Sequence, residues 1–147
     1  MTRRHPRPWP PDPLQADPPA SALLDPSPAD ARDAARVVAR AAGLGPRRTD
    51  DLLVVVSELV TNAIRYGRPP VAVELWREPG RVVVAVGDAG PGPADPLVGL
   101  TRQEGGLGGL GLWMAHQLAD RIALEPGPAG FTAWASVAGA GQRSSRS

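Results

Sequence analysis

The fold turns on the stretch TDDLLVVVSELVTNAIRYG, residues 49–67. Its apolar residues Leu52, Val56, Leu59, Val60 and Ile64 recur three and four apart, the repeat of a helix with one buried face. The spacing predicts a helix that begins near Thr49, whose hydroxyl can cap it, and stops at Gly67. Glu58 and Asn62 lie four apart on one face of it, turned away from the apolar stripe. A carboxylate and a carboxamide so placed can offer oxygens and a donor to a shared ligand such as a hydrated magnesium ion. Taken alone, such a pair more often marks a solvated polar face.

Working outward, Ser27-Pro28-Ala29-Asp30 reads as the start of an earlier helix, with a serine cap, proline at the first position and an acid near the positive end. Gly43 and Gly45 stop it, and Ala34, Val37, Val38 and Ala41 are its expected buried stripe. Downstream, Val71 to Arg77 alternates, Pro79-Gly80 turns, and Arg81 to Gly87 returns, an antiparallel hairpin. A glycine-rich stretch follows, then a helix from Gly109 to Ala119 and two further strands, Arg121 to Leu124 and Phe131 to Val137. Helices gathered with such strands predict an α+β two-layer sandwich on a mixed, mainly antiparallel sheet.

At 147 residues the chain has room for one domain. Nine of its 18 prolines fall in residues 1–28, so residues 1–27 are expected to be a disordered tail. The small and polar residues 138–147 are expected to fray, leaving 28–137 as the domain. Sixteen basic residues, all arginine, face 15 acidic ones for a net charge of +1, which offers no field for nucleic acid or an anionic membrane. The lack of cysteine excludes thiol catalysis, and with only two histidines, one of them in the proline-rich tail, a multi-histidine metal site is not expected. No apolar run is long enough to span a bilayer, and Arg3-Arg4 is followed by prolines and acids rather than an export signal's apolar core, so the cytoplasm is the expected location.

Two further segments carry possible chemistry. Asp88-Ala89-Gly90-Pro91-Gly92 leaves the apolar strand Val82 to Val86, placing a carboxylate where it could accept from an exocyclic amine beside glycines that admit a flat ligand. An ordinary turn uses the same residue types. Gly105-Gly106-Leu107-Gly108-Gly109-Leu110-Gly111 runs straight into a helix, where free amides and the positive dipole end suit a phosphate. No lysine follows, so it is not a Walker loop. His116, Trp76 and Trp134 read as packing residues.

In this order, the Glu/Asn helix, the D-x-G-x-G hairpin end and the glycine-rich helix start resemble the N box and two glycine boxes of the GHKL ATPases. Residues 57–67 (SELVTNAIRYG) and 111–120 (GLWMAHQLAD) look most like the anti-sigma-factor serine kinases of that superfamily. No helix pair with a phosphoacceptor histidine accompanies them, which argues against a complete sensor histidine kinase. The resemblance implies a Bergerat ATP-binding sandwich with ATP and Mg2+ as cofactors. By it, Asn62 holds the magnesium, Glu58 is the general base toward a serine hydroxyl, and Asp88 accepts from the adenine amino group. Gly90 and Gly92 let the chain pass the base, and Gly106, Gly108, Gly109, Leu110 and Gly111 form the phosphate segment. The expected lid is Pro93 to Leu107, with Arg102 a candidate γ-phosphate contact. The family's G-x-G-L-G-L places its first glycine on Leu107, so which of Gly106 and Gly108 takes that place stays open. Implied partners are a sigma factor and an anti-anti-sigma protein, with a homodimer possible and no direct nucleic acid. A catalytically silent, ATP-dependent protein-binding module is the alternative.

Overall fold

The structure is a computed structural model that describes residues 9–12, 16–92 and 109–139. Helix α1 is Pro28–Ala42, following strand β1, Ser21–Leu24. Ser27 Oγ accepts from the Asp30 amide at 3.0 Å, and Gly43, at φ 80°, closes the helix by donating to the Ala39 and Arg40 carbonyls. Helix α2 is Pro46–Tyr66, and β2 (Ala72–Glu78) and β3 (Arg81–Asp88) form the hairpin. Helix α3 (Gly109–Leu118), β4 (Arg121–Gly127) and β5 (Gly130–Ala138) complete the chain. The strands order β1-β2-β3-β5-β4, and the expected mixed, mainly antiparallel sheet is antiparallel at every pairing. All three helices lie on one face of it, around a core that takes Val73 and Leu75 from β2 and Val82, Val84 and Val86 from β3.

Five expectations are corrected. Helix α2 starts at Pro46 with Gly45 as its cap, and Thr49 lies within the first turn. Proline at the first helical position needs no amide partner, so the start moves upstream. The buried stripe of α1 is Ala31, Ala35, Val38, Ala39 and Ala42, about a quarter turn from the expected one, and Val37 is 70% exposed. Alanine fills nearly every candidate position there, so periodicity alone left the rotation loose, and the small residues face inward where the helix lies close to its neighbours. On α2 the inward residues include Val55 and Ala63, and Ile64 is exposed. Finally, the expected tail at 1–27 contains ordered chain: Ser21–Leu24 pairs with β2, Ser21 opposite Leu75 and Leu24 opposite Ala72. Ala138, assigned to the fraying end, is the last residue of β5 and pairs with Arg81.

Strand β3 is buried on both faces. Val83 and Ala85 point away from the helices into a second cluster with Trp134, packed by Trp76, Ala123 and Trp9. Trp76 and Trp134 stack at 5.6 Å between ring centres. An unbroken apolar run such as residues 82–86 is what a strand covered on both sides requires.

Candidate functional site

At the end of β3 the chain meets the end of α2. Asp88 Oδ1 accepts from the Gly90 amide at 2.7 Å and from the Arg68 amide at 3.3 Å, and the Ala89 amide donates to the Arg68 carbonyl at 2.8 Å. The carboxylate is thereby pinned, and among the described residues Oδ2 accepts no hydrogen bond, leaving an acceptor for a ligand. The close approach depends on glycine. A Cβ on Gly67 would lie 2.5 Å from Asp88 Oδ2 and 2.6 Å from the Ala63 carbonyl, and one on Gly90 would lie 2.9 Å from Asp88 Oδ1. Gly92 has φ 77° and sits against the Phe131 ring, so its glycine serves both a left-handed backbone and ring contact.

Helix α2 brings the other two candidates. Glu58 and Asn62 are half-buried and lie seven and eleven residues beyond Asp51, on the same side of the helix. Asp51 is bound to Arg48, which also holds the end of α3, so this side of α2 flanks α3. Ser57, a hydrogen-bond partner of Arg32 at 3.0 Å, faces α1 instead. Because α3 packs on α2 and ends beside its start, the two helices run in opposite directions. Ten residues of α3 span about 14 Å, which sets Gly109 beside the middle of α2, the stretch that carries Glu58 and Asn62. Gly109, Leu110 and Gly111 form the first turn of α3, so its unpaired amides open there. Arg102, Gly106, Gly108 and the expected lid lie outside the described residues.

The structure thus brings Asp88 and Gly90 to the end of α2, sets Gly92 against Phe131, and brings the first turn of α3 to the middle of α2. The donor set suits magnesium nucleotide: hard oxygens at 58 and 62, a carboxylate with a spare lone pair at 88, and amides at a helix start. No three histidine or acidic side chains gather into a metal cage among the described residues, and magnesium held through phosphates needs only one or two.

Sequence reading missed the buried clamp that orients these helices. Arg48 is 7% exposed and donates to Asp51 Oδ2 at 2.7 Å, Asp120 Oδ2 at 2.8 Å, the Leu118 carbonyl at 3.2 Å and the Ala138 carbonyl at 2.7 Å. Asp120 Oδ2 also accepts from the Ala138 amide at 2.6 Å. One guanidinium therefore ties the start of α2 to the end of α3 and the last residue of β5. Arg48 falls two turns before Val55 on the buried face, the signal that could have found it.

A profile of the histidine kinase-like ATPase domain matches residues 20–137. The signal transduction histidine-protein kinase AfsQ2 of Streptomyces coelicolor is 36% identical over 103 residues, an overlap of 60% of this chain and 19% of that protein. The chain therefore spans about a fifth of that relative. Among solved structures, the RsbU and RsbW domains of Rv1364c from Mycobacterium tuberculosis superpose with a TM-score of 0.54 at 21% identity, covering 80% of this chain and 32% of that one. The histidine kinase domain of the Erythrobacter litoralis EL346 blue-light activated histidine kinase gives 0.51 at 21% identity, covering 80% and 63%. These two likenesses show a shared fold. The profile match over most of its length establishes that the chain belongs to the histidine kinase-like ATPase domain family.

Proposed function

We propose that the protein binds ATP with Mg2+ and works as a serine/threonine protein kinase of the anti-sigma-factor type, phosphorylating an anti-anti-sigma partner and sequestering a sigma factor. The observation that carries the nucleotide half is the pinned Asp88 carboxylate, with Oδ2 open, on the same side of the fold as the start of α3. Asp88 accepts from the adenine amino group, and Gly90 leaves room for the base. The amides of Gly109 and Gly111 take phosphate oxygens, and Asn62 holds the metal through its side-chain oxygen. Magnesium, where bound, would supply charge neutralisation at the phosphates. Glu58 takes the proton of the incoming hydroxyl as its oxygen bonds to the γ-phosphorus and ADP departs. The motif at 57–67 and the RsbW-containing neighbour support the serine kinase reading. Location in the cytoplasm follows from such partners, and no described helix is long and apolar enough to cross a membrane.

AfsQ2 favours a second reading, transfer to histidine. With labelled ATP, Mg2+ and a serine-bearing anti-anti-sigma protein, the expected product is an acid-stable phosphoester. Glu58→Gln is expected to slow transfer by about 100-fold or more while ATP still binds. An acid-labile product assigns histidine instead, and transfer undiminished in Glu58→Gln removes Glu58 as the base.

A further inference from the structure

The β4–β5 hairpin turns beside Asp88. Phe131 lies opposite Asp88 in the β3–β5 register, and Gly130, at φ 151°, lets the chain pass closely, since a Cβ there would run into the Asp88 carbonyl. The Phe131 side chain belongs to the core cluster under the helices, the side on which Asp88 meets Arg68 at the end of α2. Directly opposed side chains of an antiparallel pair have Cβ atoms about 4.5–5.5 Å apart, so the ring adjoins the carboxylate. Its other neighbour is Gly92, where any Cβ would collide with the ring. Phe131 is thus bracketed by the first and last residues of the D-x-G-x-G segment, and Gly90 between them is buried.

A phenyl ring in this place changes what the carboxylate can select. The ring is 7% exposed and has neither donor nor acceptor, so on its side Asp88 has an apolar wall in place of water. Asp88 Oδ1 is held by two amides, which leaves Oδ2 as the oxygen that meets a ligand. An acceptor left unpaired beside an apolar wall costs far more than one that water can satisfy. A carboxylate so placed and aimed at a ligand N–H rejects analogues that lack it by orders of magnitude more than pocket shape alone does.

We propose that Phe131 sets the base selectivity of the site: by screening the Asp88 carboxylate from water, it makes the site take an amino purine such as adenine and refuse an oxo purine such as hypoxanthine. The inference rests on the nucleotide reading above and adds to it a residue that is neither acceptor, glycine nor metal ligand. Phe131 acts through Asp88, so it is a positioning residue for the base and takes no part in phosphoryl transfer.

The test is calorimetric titration of full-length wild type, Phe131→Val and Phe131→Met with the magnesium complexes of ATP and of inosine triphosphate, in which a carbonyl replaces the exocyclic amine. Wild type is expected to prefer ATP by about 100-fold or more. Phe131→Val, a smaller side chain that still suits a strand, is expected to cut that preference about ten-fold or more. The change should come chiefly from tighter binding of inosine triphosphate, because water then satisfies the carboxylate which that base leaves unpaired. Phe131→Met, which refills the volume, should hold the preference within about three-fold of wild type. A side chain that only packs would weaken both nucleotides alike in Phe131→Val, and that outcome overturns the proposal. So does a wild-type preference smaller than expected, a measurement that needs no variant and stands even if Phe131→Val does not fold. Wild type that binds neither nucleotide overturns the nucleotide reading and this inference with it. Wild type that binds ATP, with its preference unchanged in Phe131→Val, overturns this inference alone.

Discussion

Arg48→Met is expected to cost about 3–5 kcal/mol of folding free energy, the range for breaking a buried pair by removing one partner. For a domain of this size that corresponds to a drop in Tm of roughly 10–20 °C. The side chain is buried, and its loss removes the Arg48 cation from Asp120, whose side chain is 7% exposed. It also frees the Leu118 and Ala138 carbonyls at once. Arg48→Lys should recover little, because one ammonium cannot reach four acceptors spread over α2, α3 and β5. Thermal and urea unfolding of the two variants beside Asp120→Asn would check this. A loss under 1 kcal/mol in Arg48→Met would show that the clamp is dispensable.

Gly67→Ala is expected to damage ligand binding more than its size suggests. A methyl there meets both the Asp88 carboxylate and the Ala63 carbonyl, so one of them has to move. The carboxylate, held by two amides, is the member at the site, and moving it breaks those bonds. Losing one hydrogen bond to a charged group is worth about 1.5–3 kcal/mol, so ATP affinity should fall by about ten- to a hundred-fold. The overpacking itself should cost about 1–3 kcal/mol in stability. Calorimetric titration with ATP, alongside urea unfolding, separates the two effects. Unchanged affinity in a folded Gly67→Ala protein would mean that the position of Asp88 does not matter to the ligand.

Much of this was legible because periodicity and punctuation are local. Ser27-Pro28, Gly43 and Pro79-Gly80 mark element ends by their own backbone chemistry, and Val71, Val73 and Leu75 alternate with the less buried Ala72, Glu74 and Trp76. What failed was set by partners distant in sequence. The rotation of α1 depends on how closely alanines let it approach, which the repeat does not encode. The strand at Ser21–Leu24 exists because β2 offers it an open edge, and proline density nearby concealed it. At the candidate site, Glu58, Asn62 and Asp88 could be picked out by type and order, whereas Gly67 read as a helix stop and Arg48 carried no reading at all. Their importance comes from Asp88, Leu118, Asp120 and Ala138, between 20 and 90 residues away. The apolar run at 82–86 did carry a warning, since a strand with no polar alternate needs a second cover.

In the proposed function, three separated segments form one site for magnesium nucleotide. Isothermal titration of ATP, with Mg2+ and with chelator, into wild type, Asp88→Ala and Asn62→Ala tests that most directly. Wild type should bind, Asp88→Ala should weaken binding under both conditions, and Asn62→Ala should weaken it only when Mg2+ is present. A wild-type protein that takes up no nucleotide, or two variants that bind as wild type does, would contradict it.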